Sequence, residues 1–169
     1  MKLNKRIIGI GLVAVAVVGL AACARGGRGG SAADSKVRAA IVTDSAGVDD
    51  KSFNQSAWEG LQAWGKANKL EKDSGYTYFQ SNSESDFATN LSSAVDQNYN
   101  LIFGVSFRLH DAISESAKDN EKINYVIIDD VVKGQKNVES VLFADNEGAY
   151  LAGIAAAMQS QNKKGGFIG

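Results

Sequence analysis

The sequence predicts an α/β protein, a doubly wound parallel sheet with helices on both faces. Two observations carry this. From residue 37 onward, short runs that are apolar at successive positions take turns with segments of helical periodicity. Runs apolar on both sides suit strands hidden under helices, and right-handed crossovers would make this an open α/β sandwich.

The elements follow in order. Val37 to Thr43 (VRAAIVT) reads as a buried strand and Ser52 to Leu70 as a helix. Ser52 and Gln55 fit the S-x-x-Q capping box, and Ala57, Leu61 and Trp64 follow at helical spacing. Tyr76 to Gln80 is a second strand. Phe87, Leu91, Ala94 and Val95 mark a second helix, capped near Ser83 or Ser85. Leu101 to Val105 is a strand, Leu109 to Asn120 a helix, and Tyr125 to Ile128 a nearly unbroken apolar strand. Val138 to Ala144 is another strand and Glu147 to Gln159 a helix rich in small residues. Lys163-Lys164-Gly165-Gly166 then turns into Phe167-Ile168-Gly169, where one more strand begins.

Ahead of this lies a different kind of chain. Lys2, Lys5 and Arg6 precede an apolar stretch from Ile7 to Ala22, which describes a secretory signal peptide. Leu20-Ala21-Ala22-Cys23 resembles the lipobox of bacterial lipoproteins, in which the cysteine takes a diacylglycerol and the peptide is cut before it. An uncleaved anchor is the competing reading, since the stretch is close to the length that spans a bilayer. The glycine-rich segment from Ala24 to Lys36 cannot bury enough surface to fold and reads as a tether. The expected organisation is therefore signal 1–22, lipidated Cys23 with tether to 36, a ligand-binding lobe 37–162, and the start of a hinge or second lobe at 163–169. This places the protein at the cell membrane, lipid-anchored on the extracytoplasmic face.

Removing the signal leaves 147 of the 169 residues and a net charge near −4. That gives no reason to expect nucleic-acid binding. With Cys23 the only cysteine, an intrachain disulfide and cysteine-based metal sites are excluded. No G-x-G-x-x-G follows a strand and no P-loop or G-x-S-x-G motif occurs, so no cofactor and no catalytic role is expected. His110, the single histidine, opens a helix and reads as a capping or surface residue. Asp129-Asp130 would serve as a metal or hydrolytic pair only if a turn begins there, because neighbours on a strand point to opposite faces. No metal site is expected.

In open α/β sheets, ligands bind outside the carboxyl ends of the strands. Those ends carry Thr43-Asp44-Ser45, Gln80-Ser81-Asn82-Ser83, Gly104-Val105-Ser106-Phe107 and Asp129-Asp130. Hydrogen-bonding groups interleaved with the rings of Phe53 and Phe107 suit a small polar ligand with a flat ring or sugar hydroxyls. The densest cluster is 44–55, where Gly47 permits a tight turn and Asp49, Asp50 and Ser52 suit a helix start. Phe53 could stack on a base there or staple the helix end, and Asn54 offers both donor and acceptor.

Segment 44–55 (DSAGVDDKSFNQ), followed by Trp58-Glu59-Gly60, is similar to the signature of the basic membrane protein (Bmp/Med) family, an aspartate followed by G-x-x-D-K-S-F-N. Glu147-Gly-Ala-Tyr-Leu-Ala-Gly153 and Lys163-Lys-Gly-Gly-Phe-Ile-Gly169 resemble later family motifs, so the likeness runs from Val37 to Gly169. It looks most like the purine nucleoside receptor lipoproteins of ABC importers. The resemblance implies the N-terminal lobe of a type I periplasmic-binding-protein fold, whose second lobe would follow Gly169. It implies that Asp44 and Asn54 hydrogen-bond a purine base and Phe53 stacks on it. Asp129 would hold the sugar edge, Gly104 and Ser106 would line the cleft, and a permease would be the partner. A single lobe leaves one side of the ligand in water, so this chain by itself is expected to bind nucleoside weakly or not at all. A surface sensor or adhesion lipoprotein on the same fold, or a binder of another solute such as a sugar, is the alternative.

Overall fold

The computed structural model describes residues 37–167. The leader, Cys23 and the tether lie outside the described residues, as do Ile168 and Gly169 of the expected last strand. Five parallel strands form one sheet in the order β2-β1-β3-β4-β5: β1 Ala39–Thr43, β2 Tyr76–Gln80, β3 Leu101–Val105, β4 Asn124–Ile128 and β5 Val138–Val141. Four α-helices connect or follow them: α1 Phe53–Ala67, α2 Phe87–Asp96, α3 His110–Asp119 and α4 Asp145–Gln159. Every strand and helix expected within residues 37–166 is present; Tyr76–Gln80 and Leu101–Val105 keep their expected bounds and the others shift at one or both ends. The last strand is shorter than expected, because Leu142 and Phe143 leave the sheet as exposed residues.

Strand alternation divides the core into two layers. Ala40, Val42, Ile102, Tyr125 and Ile127 point toward α2 and α3, where Leu91, Ala94, Ile113 and Ala117 cover them completely. Ala39, Ile41 and Val105 point to the opposite face, which α1 covers with Leu61, Trp58 and Trp64. That layer is thinner: Leu101, Phe103 and Ile128 stay partly buried beside α1 and line an apolar groove of about 340 Å³. Helix α4 buries none of its residues, and Tyr150, Leu151 and Met158 are two-thirds exposed or more. It was expected as part of the packed lobe, yet it adds nothing to either layer. Its apolar residues are spread around the helix, and within the described chain no face of it is covered.

Helix ends show why the boundaries moved. The capping box expected from Ser52 and Gln55 does not form, since Ser52 makes no side-chain cap bond. Asp50 caps α1 instead: its carboxylate accepts from the backbone N–H groups of Ser52, Asn54 and Gln55 at 2.8, 3.2 and 3.0 Å. Two carboxylate oxygens serve three donors where one hydroxyl could serve one. Gln55 does reach back, accepting from Lys51 N–H at 3.1 Å. At its far end α1 stops at Ala67, short of the expected Leu70. Lys69 turns left-handed (φ 57°), and the Leu70 N–H closes onto the Gly65 carbonyl at 2.9 Å, a Schellman ending. The cap expected near Ser83 or Ser85 forms one turn early. Ser83 and Asp86 make a capping box on the 3-10 turn Glu84–Asp86, with Asp86 accepting from the backbone N–H of Asn82 and Ser83. Helix α2 itself starts after Asp86 without a side-chain cap bond.

Candidate functional site

All five strands run the same way, so their carboxyl ends open on one rim. Just beyond β1, Asp44 Oδ1 accepts from the Ala46 N–H at 3.1 Å and the chain turns at Gly47. Gly47 has φ 73°, which glycine adopts without strain, and a Cβ there would push aside the Gln80 amide 2.7 Å away, so the turn favours glycine. The chain then reaches Asp50, whose cap starts α1 directly over the rim. This delivers Phe53 and Asn54 in the first turn of the helix.

Asn54 is buried, at 2% exposure. Its side-chain amide donates to Asp44 Oδ1 and to Asp50 Oδ2, both at 2.9 Å. Two carboxylates fix which end of the amide is nitrogen, because the reverse placement would set oxygen against oxygen. Asn54 Oδ1 is thereby left buried with no hydrogen-bond partner among the described residues. An unsatisfied buried acceptor costs about 1–3 kcal/mol, and it can be relieved only by a donor brought to it. Burial opposes ionisation of Asp50, but the donors from Gln55, Ser52 and Asn54 outweigh it and hold the carboxyl below its ordinary value. Asp50 therefore stays an anion, acting only as acceptor.

The opposite wall comes from the ends of β3 and β4. Ser106 adopts φ 107° and ψ 141°, a conformation that side chains disfavour, and its hydroxyl accepts from the Arg108 N–H at 3.3 Å. Asp129 is also left-handed, at φ 71°. Together Asp44, Asp50, Asn54, Ser106 and Asp129, with Phe53, Phe107 and Arg108, line an open cavity of about 470 Å³, a volume in the range of small-molecule sites. Phe53 is 43% exposed and Phe107 60%, so both rings are available at its edge. Phe53 also meets Phe143 of the β5–α4 connection, with ring centres 6.3 Å apart, beside a second, mainly apolar hollow.

Five of the six residues expected to contact a ligand, Asp44, Phe53, Asn54, Ser106 and Asp129, meet around this one cavity. Gly104 does not. It lies one position inside the end of β3 on the α3 face, where a Cβ would stand 2.9 Å from Ile113, so its lack of a side chain lets α3 pack close. Asp50, which the sequence marks only as a helix-start residue, joins the site through its bond to Asn54. Its position two before Ser52 and four before Asn54 was the available signal. Asp129 and Asp130 do part company, although both lie beyond β4 in the turn that left-handed Asp129 opens: Asp129 faces the cavity and Asp130 bonds the His110 ring. Among the described residues no group of three His, Cys, Asp or Glu side chains is placed to hold a metal ion. Nor is any described helix long and apolar enough to cross a membrane.

Residues 37–169 match the family model for Bmp, described as ABC transporter substrate-binding protein PnrA-like. The chain is 56% identical to the ABC transporter nucleoside-binding protein BmpA of Lactococcus lactis subsp. cremoris, over 99% of this chain and 48% of that protein. It is 43% identical to the CD4+ T-cell-stimulating antigen of Listeria innocua, over all of this chain and 49% of that protein. The chain thus spans about half the length of these relatives. The fold is similar to that of an ABC transporter solute-binding protein from Aeropyrum pernix K1, with a TM-score of 0.64 at 24% identity, over 72% of this chain and 32% of that one.

Proposed function

The chain belongs to the Bmp family of ABC transporter substrate-binding proteins, and from that premise we propose that it forms the purine-nucleoside-binding lobe of a lipid-anchored receptor. The observation that carries the reading is the rim cavity, whose polar lining is dominated by acceptors and whose edge holds exposed rings. Asp44, Asp50, Asp129 and the orphaned Asn54 Oδ1 are all acceptors. Such a set calls for a ligand rich in N–H and O–H donors that also offers a flat face, which describes a nucleoside. In this reading Asp44 and Asn54 take the donor edge of the base, Phe53 stacks on it, Asp129 takes ribose hydroxyls and Ser106 lines the wall. Binding would need no chemistry. Hinge closure around the ligand would present the loaded receptor to a permease, and an acylated Cys23 with its glycine tether would keep it beside that partner.

Because one lobe covers one side of a ligand, the test uses millimolar concentrations. Titration of isotope-labelled protein with inosine should shift amide signals of Asp44, Phe53, Asn54 and Asp129 in fast exchange, while ribose moves only those near Asp129. Absence of shifts at 10 mM inosine (roughly 3 kcal/mol of binding), or shifts confined to the apolar groove under α1, would refute the assignment. Mass spectrometry of membrane-extracted protein tests the anchor: Cys23 should be the amino-terminal residue and carry acyl chains.

A further inference from the structure

His110 opens α3, four residues after the strained Ser106, and its Nδ1 stands 2.5 Å from Asp130 Oδ2. Asp130 directly follows Asp129. Two connections thus join the loops that build the far wall of the cavity, and a third ties the second loop to β5. The Ser106 N–H donates to the Ile128 carbonyl at 3.2 Å, the Asp129 N–H donates to the Val141 carbonyl at 2.9 Å, and the His110 ring bonds the Asp130 carboxylate. Of these, only the last comes from side chains and lies beyond the strand ends.

Asp129 needs such a restraint. A non-glycine residue at φ 71° costs about 1–3 kcal/mol, and it holds that conformation only when its surroundings dictate it. Its own N–H is fixed to β5, which sets one side of the turn. The other side leaves the sheet through Asp130 and exposed Val131, which have no ladder bond, and the backbone is next held at buried Val132, whose N–H donates to Ser140 Oγ at 3.1 Å. The ring of His110 supplies the hold: α3 is packed on the sheet through Ile113 and Ala117, so its first residue is a rigid post. Asp111, the acidic residue of the first turn of α3, is exposed, and Arg108 reaches away toward Glu84, at 3.9 Å. Asp130 is the acidic group bonded to the ring.

We propose that His110 is a positioning residue for the ligand. Acting through Asp130, it locks the left-handed Asp129 so that its carboxylate stays presented to the cavity. It does not itself touch the ligand. The inference rests on the assignment of Asp129 to the binding site made above, but its first readout needs no ligand.

Ligand-free spectra of the wild type, His110→Ala and His110→Asn provide the test. Because His110 is the chain's one histidine, its ring nitrogens give a single unambiguous signal set. That set should report Nδ1 engaged with a carboxylate in the wild type and change in Asp130→Asn. In His110→Ala the Asp129 carbon and amide signals should move away from their left-handed values and the Ser106 amide should follow. Signals of Asp44 and Phe53, across the cavity, should stay in place. His110→Asn, whose side-chain amide can donate to Asp130 from nearly the Nδ1 position, should restore them. With inosine, His110→Ala should weaken apparent affinity by about fivefold, and that loss should vanish in an Asp129→Ala background. Unmoved Asp129 signals in His110→Ala, equal disturbance at Asp44, or failure of His110→Asn to restore would each overturn the proposal. If wild-type protein ignores inosine, the nucleoside reading fails alone, and the ligand-free spectra still decide the role of His110.

Discussion

At the amino end of the sheet, Arg38 donates to the carbonyls of Ser74 and Gln97 at 2.6 and 2.7 Å and lies 4.6 Å from the centre of the Tyr99 ring. The Tyr99 hydroxyl donates to the Asp73 carbonyl at 2.9 Å, and the Arg38 N–H finds the Asn100 side chain at 2.9 Å. Helices α1 and α2 both finish here in Schellman endings, with Lys69 and Asn98 left-handed. At the carboxyl end the pattern reverses. Carboxylates gather around a cavity, Asn54 Oδ1 is buried without a partner, Ser106 and Asp129 sit in disfavoured conformations, and two phenylalanine rings face outward. One end closes its polar groups against one another. The other keeps them unspent for something that arrives. The difference separates where this domain is held together from where it acts, and it can be broken from either side.

The largest effect is expected at the closed end. Tyr99 is fully buried beneath Phe79 and Arg38, and Tyr99→Ala should cost about 3–5 kcal/mol of stability in urea unfolding. Inosine-induced shifts at the rim should survive in whatever fraction stays folded. A loss of those shifts at full folding would blur the division.

Asp50 lies on the boundary, because it caps α1 and also bonds Asn54. Asp50→Ala should cost about 1 kcal/mol and disturb the Asn54 signals. The pH dependence follows from its lowered carboxyl. The folded value lies below the ordinary 3.8, so the contribution is present above that value and is lost as pH falls through the folded one. The stability gap between wild type and Asp50→Ala should therefore be full at neutral pH and close below about pH 4. A gap that persists in acid would mean that packing, not the charged cap, is responsible.

The smallest stability effect belongs to the open end. Phe53→Ala, at a half-exposed ring, should change stability by about 0.5 kcal/mol or less while abolishing the response to inosine. A large loss of stability would instead make Phe53 the staple of the helix end.

Much of this was legible in the chain because buried parallel strands and amphipathic helices write themselves in local pattern. Leu91 and Ala94 lie three apart and Ala57, Leu61 and Trp64 three to four apart on their helices, and the strand ends name themselves once the strands do. The site was legible to the extent that it follows from those ends, which is why Asp44, Phe53, Asn54, Ser106 and Asp129 converge. What misled was local plausibility. Ser52 fits a cap by its position, but a carboxylate two residues earlier competes better for the same donors. Gly104 lies next to a strand end near the rim, but strand parity turns it toward Ile113.

By itself, the sequence determined the alternation of strand and helix, the sheet's polar rim and the family motif that lies on it, because these depend on periodicity and neighbouring residues. Only the tertiary structure decided that Asp50 commands Asn54, that His110 reaches Asp130 twenty residues away, and that α4 packs on neither face. Such facts depend on how distant segments compete for the same donors, acceptors and surfaces, and that competition takes place only once the chain has folded.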